Sequence, residues 1–538
     1  MAARPVRRVH STTLTAHVGG PLGTVALLHE IPNLTESHLL NSSWRATPST
    51  ELLRRNFGEP SLDDRDWTPV EIPHQWAGSD EFNEQQSVLY RTRFSEPPRN
   101  PADPAGLRTW ICLDGVMTSA DVWLNGSYLG LAEGYSIPHA FDITAASHAS
   151  SEHMLAIDAS CPNLSEGPRQ ALTGIFQGGQ AFPPDANPGG IWRSVRLERT
   201  GSVRIDRLRV ICREADSDRA ILGIHVRLLA DGANKVLIRT FLDPAADKRG
   251  QGRTISHIQE VEVADGDNLL DWRFAVEQPE LWWPHALGDQ PLYDLRVEVV
   301  VDGQISHVRK RRTGLRQIEM SNWQMHVNGE RLFLKGANLL PAALDLGCVA
   351  LDDLLEDLHQ AKAAGLDFLR VHSHINRPEL YREADRIGLL LWQDLPITGE
   401  MHRAVRKRAE VLALETVDLL GHHPSIAIWC THNDPKPAPL EDFVTRESKQ
   451  RKRSRRRQVR RQGLPSWNRS VLDRGLKRAM HKADPSRLVV ASSGVLPHPP
   501  QMDGTDAHLW LGWYYGEAED IAQVANRWPR AVRFVSEF

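Results

Sequence analysis

Between about Leu39 and Arg199, apolar residues recur at every second position in short runs broken by glycine, proline, asparagine and aspartate. A period of two is what a half-buried strand imposes, because successive side chains point to opposite faces of a sheet. In Ala120-Asp121-Val122-Trp123-Leu124-Asn125-Gly126-Ser127-Tyr128-Leu129-Gly130 the Asn-Gly pair separates two apolar segments and predicts a hairpin turn. The stretch therefore predicts a β-sandwich of jelly-roll type. From Ser202 to Thr313 the alternation continues through Leu208, Val210 and Cys212, through Ile224, Val226 and Leu228, and through Leu295, Val297 and Val299. That spacing predicts a second, immunoglobulin-like sandwich.

The pattern then changes to apolar runs alternating with amphipathic stretches. Strands are predicted at 332–335, 368–371, 389–392, 426–430, 488–491, 506–509 and 532–535. Helices are predicted at 351–364, at 378–387 with Pro378 in the first turn, at 405–420 and at 471–481. Sustained strand–helix alternation predicts a parallel (β/α)8-type barrel, here truncated after strand seven because no eighth run precedes Phe538. The expected fold class is thus multidomain β plus α/β. Its divisions are an N-terminal extension at 1–38, a first sandwich at 39–200, a second at 201–315 and a barrel at 316–538, with a basic insertion at 446–463.

On this frame two carboxylates occupy equivalent places. Asp434 follows the run Ile426-Ala427-Ile428-Trp429-Cys430, and Glu537 follows the run ending at Val535. Carboxylates at the C-terminal tips of parallel strands face the loop side of a barrel, and two of them can supply an acid/base and a nucleophile for glycoside hydrolysis. Taken singly, each reads more readily as a solvated loop carboxylate, and it is the surrounding sequence that reverses this.

Composition narrows the field. A formal net charge of -4 over 538 residues argues against a chain-wide nucleic-acid or membrane field. Ten Lys or Arg crowd residues 446–461, but without interleaved aromatics, so they read as a solvated insertion, not a nucleic-acid site. Val25-Ala26-Leu27-Leu28 is too short for a signal core, and no run is long enough to span a bilayer. Cys112, Cys161, Cys212, Cys348 and Cys430 are scattered without metal spacing and read as reduced core thiols of a cytoplasmic protein. His372 and His374 stand two apart at a strand tip with no evident third ligand, so neither metal nor cofactor is expected.

Several segments resemble glycoside hydrolase family 2. Leu113-Asp114-Gly115-Val116, Val122 to Gly126, Phe141-Asp142-Ile143-Thr144 and Gly189-Gly190-Ile191-Trp192-Arg193 resemble its sugar-binding domain. Pro279 to Pro284 with Leu292-Tyr293 is similar to the end of its second sandwich. Thr313-Gly314-Leu315-Arg316, Asn328-Gly329 and Leu334 to Asn338 are similar to the barrel entry, and His423 to Trp429 to the segment leading to the acid/base. Within the family, Trp392-Gln393-Asp394, Asp506 to Trp513 and Val535 to Phe538 look like the β-mannosidase branch.

The resemblance implies Glu537 as nucleophile, Asp434 as acid/base, Asn433 on the sugar 2-hydroxyl and Arg370 orienting the nucleophile. It implies a pocket lined by Trp392, Asp394, His508, Trp510 and Trp513. Read from the residues alone, Asn433 also suits a turn leaving a strand, the tryptophans suit mouth packing, and Arg370 suits a structural ion pair. Two features depart from the pattern. The family usually has Glu where Asp434 stands, although exo-β-glucosaminidases resemble this chain there. The loop between Thr173 and Pro188 lacks the Asp-Trp element of β-mannosidases.

The implied activity is a retaining, exo-acting β-glycosidase of β-mannosidase type acting on a carbohydrate. The substrate alternatives are β-glucosaminides or β-galactosides. The alternative class is a catalytically silent carbohydrate-binding protein or an inactive fragment. The oligomeric state is open.

Overall fold

A computed structural model describes residues 7–10, 33–98, 106–162, 167–178, 181–183, 185–245, 254–434, 466–494, 505–510, 517, 519–527, 529 and 532–538. The basic insertion and Trp513 lie outside the described residues.

The predicted hairpin forms: Asn125 and Gly126 both take positive φ (50° and 82°), and Ser119–Leu124 pairs antiparallel with Ser127–Glu133. Those are the torsions a tight two-residue hairpin turn requires. The pair edges a six-stranded sheet, with Thr68–Val70, Trp44–Pro48, Ser87–Ser95 and Glu152–Ser160 completing it. A four-stranded sheet of His139–Asp142, Arg108–Leu113, Val195–Thr200 and Glu36–Leu39 packs on it through buried Tyr90, Val122, Ile157, Ile111, Leu113 and Val195.

The second sandwich has two four-stranded sheets, and its alternating residues are the buried ones: Leu208, Val210, Ile224, Val226, Val297 and Val299 are each at most 2% exposed. Arg7–His10, within the stretch expected to be an extension, adds a parallel edge strand to it beside Gly266–Glu277.

Beyond it lies a five-stranded parallel sheet in chain order: Gly336–Leu339, Phe368–Val371, Leu390–Asp394, Ile426–Cys430 and Leu488–Val490. Thr505–His508 pairs in parallel with Val532–Glu537. Helices Leu351–Ala363, Pro378–Ile387, Arg406–Leu420, Asp473–Ala483 and Asp520–Arg527 intervene. The second begins on Pro378 and stops at Gly388, whose φ of 79° closes the helix.

The expected first strand is misplaced. Glu330–Leu332 belongs to a small antiparallel sheet, Phe333 is exposed, and the parallel strand begins at Gly336. Phe534 packs against Phe368, Trp392 and Trp323, and Asn338 donates to the Ser536 carbonyl at 3.1 Å, so the last strand approaches the first. Cys348 is exposed, unlike the other four cysteines, which corrects its expected place in a core.

A loop of the first sandwich reaches this region. Gly174, at φ +58°, lies so close to the Ser373 carbonyl that a Cβ would sit 1.8 Å from it. Ile175 N donates to the same carbonyl at 3.1 Å, and the Phe176 ring stands 5.9 Å from that of His374.

Candidate active site

Parallel strands bring their C-terminal tips to one side, and there the candidate residues meet. Arg370, 2% exposed on the second parallel strand, is the hub. Its Nε donates to both Asp394 oxygens at 3.2 and 3.0 Å, and Nη2 donates to Asn433 Oδ1 at 2.6 Å. Nη1 donates to Glu537 Oε1 and to Ser536 Oγ, each at 3.1 Å. One planar guanidinium thus fixes the tips of four strands, which its fork of donors suits better than a lysine would. Asp394, fully buried, also accepts from Trp392 Nε1 at 2.6 Å and from the Ser373 backbone at 3.0 Å.

Glu537 is the last residue of its strand, not the residue after it. Asp434 leaves its strand at φ 43°, a left-handed conformation that turns its side chain toward Glu537. One donor atom each of Asp434, His508 and Glu537 lie within 4.8 Å of one another. His508 Nδ1 stands 3.1 Å from Asp434 Oδ1 and 3.4 Å from Glu537 Oε2. Gly494, at φ +71°, backs this contact: a Cβ there would lie 2.3 Å from Asp434 Oδ1 and 2.5 Å from His508 Nδ1.

Burial raises the Glu537 carboxyl and nearby Asp434 adds to it, against the pull of His508 and Arg370. Burial alone would lower His508, but Asp434 and Glu537 override it and the imidazole is raised. His372, 3.7 Å from Glu537 Oε1, is pushed well below its usual value by burial and by Arg370, so it stays neutral.

His372 and His374 turn to different neighbours. His374 is turned away, with Nδ1 on the His372 carbonyl and Nε2 on Asn376. The spacing within Asp434, His508 and Glu537 is one a cation also tolerates, and the charge pairing among them already accounts for it.

Arg370, Asn433, Asp434, His508 and Glu537 therefore converge. Trp510 is half-buried with its ring 5.5 Å from that of His508. Trp392 does not offer a sugar-stacking face: it is fully buried, its ring 5.5 Å from Phe534 and 6.5 Å from Phe368. Asp394 is likewise enclosed and acts on Arg370, not on the open site.

Three residues went unread in the sequence: Ser493, Asp506 and Ser536. Asp506 is fully buried and accepts from both serine hydroxyls and from Ser536 N. The available signal was polar residues directly following apolar runs, at Val489-Val490-Ala491-Ser492-Ser493 and Phe534-Val535-Ser536.

With this geometry in hand, the likeness to known proteins becomes specific. Residues 44–189 match the glycosyl hydrolase 2 galactose-binding domain-like family, and residues 203–316 match glycosyl hydrolases family 2. Two successive segments of the chain thus match domains of glycosyl hydrolases family 2. Its curated relatives include the β-mannosidase B of Emericella nidulans, 26% identical over 65% of this chain and 44% of the relative. That of Aspergillus clavatus is 26% identical over 68% of this chain and 45% of its own length. The chain thus spans under half the length of these relatives.

Among solved structures, a putative β-galactosidase from Bacteroides fragilis shares the fold at TM-score 0.72 and 21% identity, covering 93% of this chain and 71% of its own. A Bacteroides uniformis β-glucuronidase does so at TM-score 0.70 and 18% identity, covering 92% of this chain and 58% of its own. Among the described residues no helix is long and apolar enough to cross a membrane.

Proposed function

We propose that this chain carries the catalytic centre of a retaining, exo-acting β-glycosidase, with Glu537 as nucleophile and Asp434 as general acid/base. The observation that carries the reading is the convergence of Asp434 and Glu537, with donor atoms within 4.8 Å of each other through His508. Retaining hydrolysis needs carboxyl groups about 5–5.5 Å apart, so that one attacks the anomeric carbon while the other protonates the leaving oxygen. Glu537 Oε1 is oriented by Arg370, and the sugar carbon is attacked along the direction that bond leaves open. Asn433, held by Arg370 through Oδ1, keeps its amide N–H for the 2-hydroxyl, a contact that tightens as the oxocarbenium-like transition state forms.

The substrate reading is a terminal β-mannoside, supported by the β-mannosidase B relatives. Completion of the parallel sheets into a (β/α)8-type barrel, the division of the chain near 200 and 315, and a cytoplasmic setting for its unpaired cysteines belong to the same proposal.

The test is a panel of aryl β-mannoside, glucosaminide, galactoside and glucuronide. The mannoside is expected to be cleaved with retention of configuration, and Glu537→Ala is expected to abolish cleavage with the circular-dichroism spectrum unchanged. Equal activity in Glu537→Ala removes Glu537 from the mechanism. Sugar binding by calorimetry without turnover of any panel member makes the chain a carbohydrate-binding protein instead.

A further inference from the structure

The hydrogen inventory around His508 determines where its protons sit. A serine hydroxyl has one hydrogen to donate. Ser493 gives its hydrogen to Asp506 Oδ2 in a short bond, and Ser536 Oγ donates to that same oxygen at 2.7 Å. Ser493 Oγ also lies 3.0 Å from His508 Nε2, and with its own hydrogen committed it accepts there. Nε2 therefore carries a hydrogen. The other ring nitrogen, Nδ1, faces Asp434 Oδ1 at 3.1 Å and Glu537 Oε2 at 3.4 Å. A bare nitrogen lone pair against two carboxylate oxygens repels, whereas a proton on Nδ1 makes the contact an ion pair. The N–H is not aligned on either oxygen at rest, so a rotation of the ring or of the Asp434 side chain precedes transfer.

We propose that His508 and Asp434 hold one shared proton, and that His508 is the reservoir which keeps the general acid loaded. The inference rests on the hydrolase reading above and adds a participant to it. Among the described residues, the groups facing His508 are Asp434 and Glu537 at Nδ1, Asp506 behind Ser493, Trp510 on its own segment, and the Gly494 backbone. Arg370 and His372 stand one step behind, on Glu537. The two carboxylates at Nδ1 draw the proton in, and the raised basicity of His508 agrees with that geometry.

In the first half-reaction the bond between the anomeric carbon and the leaving oxygen breaks as the Glu537 oxygen bonds that carbon. The proton moves from His508 Nδ1 to Asp434 Oδ1, and from Asp434 to the leaving oxygen. In the second, a water oxygen bonds the anomeric carbon and the ester to Glu537 breaks. The proton lost by that water passes to Asp434 and reloads the pair.

Two measurements test this. In the first, His508→Gln, which keeps a donor but cannot store a proton, is compared with the native chain on glycosides of the sugar found active. The alkaline limb of kcat/KM is expected to fall by about one pH unit or more. Cleavage of the methyl glycoside is expected to drop about 100-fold, and that of the 2,4-dinitrophenyl glycoside less than about 10-fold, because a good leaving group needs no acid. An unmoved limb, or equal losses on both glycosides, overturns the proposal.

The second is 15N NMR of histidine-labelled native chain, with His508 assigned through the shift that Ser493→Ala produces at Nε2. Both ring nitrogens protonated at pH 7 is the expected result, and a neutral imidazole there overturns it. This readout needs no turnover. If the native chain cleaves no glycoside, the hydrolase reading fails and the protonation of His508 is still decided.

Discussion

A buried and a half-buried glutamate in this chain meet opposite fates. Glu198, 1% exposed where the two sandwiches join, is surrounded by Arg204 and Arg309 at 2.8 Å, Arg196 at 3.3 Å and His307 at 3.4 Å. Burial would raise its carboxyl, but His307, Arg309 and Arg204 outweigh burial and hold it well below the usual range. Glu537, at the mouth of the parallel sheets, has one arginine, the raised His508, the neutral His372 and a second carboxylate for company, and it ends raised. The number of cations an enclosed carboxylate is given separates the fastener Glu198 from the proposed reagent Glu537. Over-compensation fixes a charge permanently, while under-compensation leaves it ready to form a bond.

The comparison can be broken at either end, starting with the fastener. Glu198→Ala strands Arg309 without its anion and leaves Arg204 only Asp206, and denaturant unfolding should show a loss of about 3–5 kcal/mol. Turnover per folded molecule should be unchanged, since no catalytic group touches Glu198.

Gly494→Ala does the reverse. Its new methyl would overlap Asp434 Oδ1 and His508. Turnover should fall about 100-fold, equivalent to about 2.7 kcal/mol in the barrier. The unfolding free energy should fall by about 1–3 kcal/mol from the strain at positive φ.

The smallest effect is in pH. His307 is lowered to about 3 by burial and by Arg309, so it is neutral in the folded chain while its unfolded counterpart takes up a proton below 6.5. Its stabilising contribution is therefore present above pH 6.5 and lost as pH falls toward 3. Glu198, also lowered, loses its contribution below its ordinary 4.5 in the same direction. His508 and Glu537 are raised, so their contributions are present in acid and lost as pH rises through their folded values. Between pH 6.5 and 5.5 the His307 effect amounts to about 1 kcal/mol. Melting curves over that range should be flatter in His307→Gln than in the native chain.

The period-two runs were legible because their residues are the sandwich cores, and the Asn125-Gly126 turn because its torsions favour those residues. Pro378 and Gly388 marked a helix at both ends. The first parallel strand was not legible. Gly336, Ala337 and Asn338 lie exposed, so they form no apolar run, and a side chain on Gly336 would meet the Phe368 carbonyl at 2.3 Å. The tempting run just before it, Leu332-Phe333-Leu334, has an exposed centre. At the site, the apolar runs before Asp434 and Glu537 marked two strand ends, though Glu537 turns out to lie within its strand. The Ser493–Asp506–Ser536 cluster could not be read, because it joins three separate strand tips and exists only after folding. Trp392 was misread because an aromatic at a strand tip looks the same in sequence whether it faces a ligand or a core.

Gly174 presses on the carbonyl of Ser373, whose own N–H holds Asp394, the anchor of Arg370. Four contacts, the last from Arg370 to Glu537, therefore connect a loop of the first sandwich to the proposed nucleophile. Lengthening or shortening that loop would shift the Arg370 network without altering any residue proposed to carry the reaction, so the sandwich and the parallel sheet are best grafted and engineered as one unit.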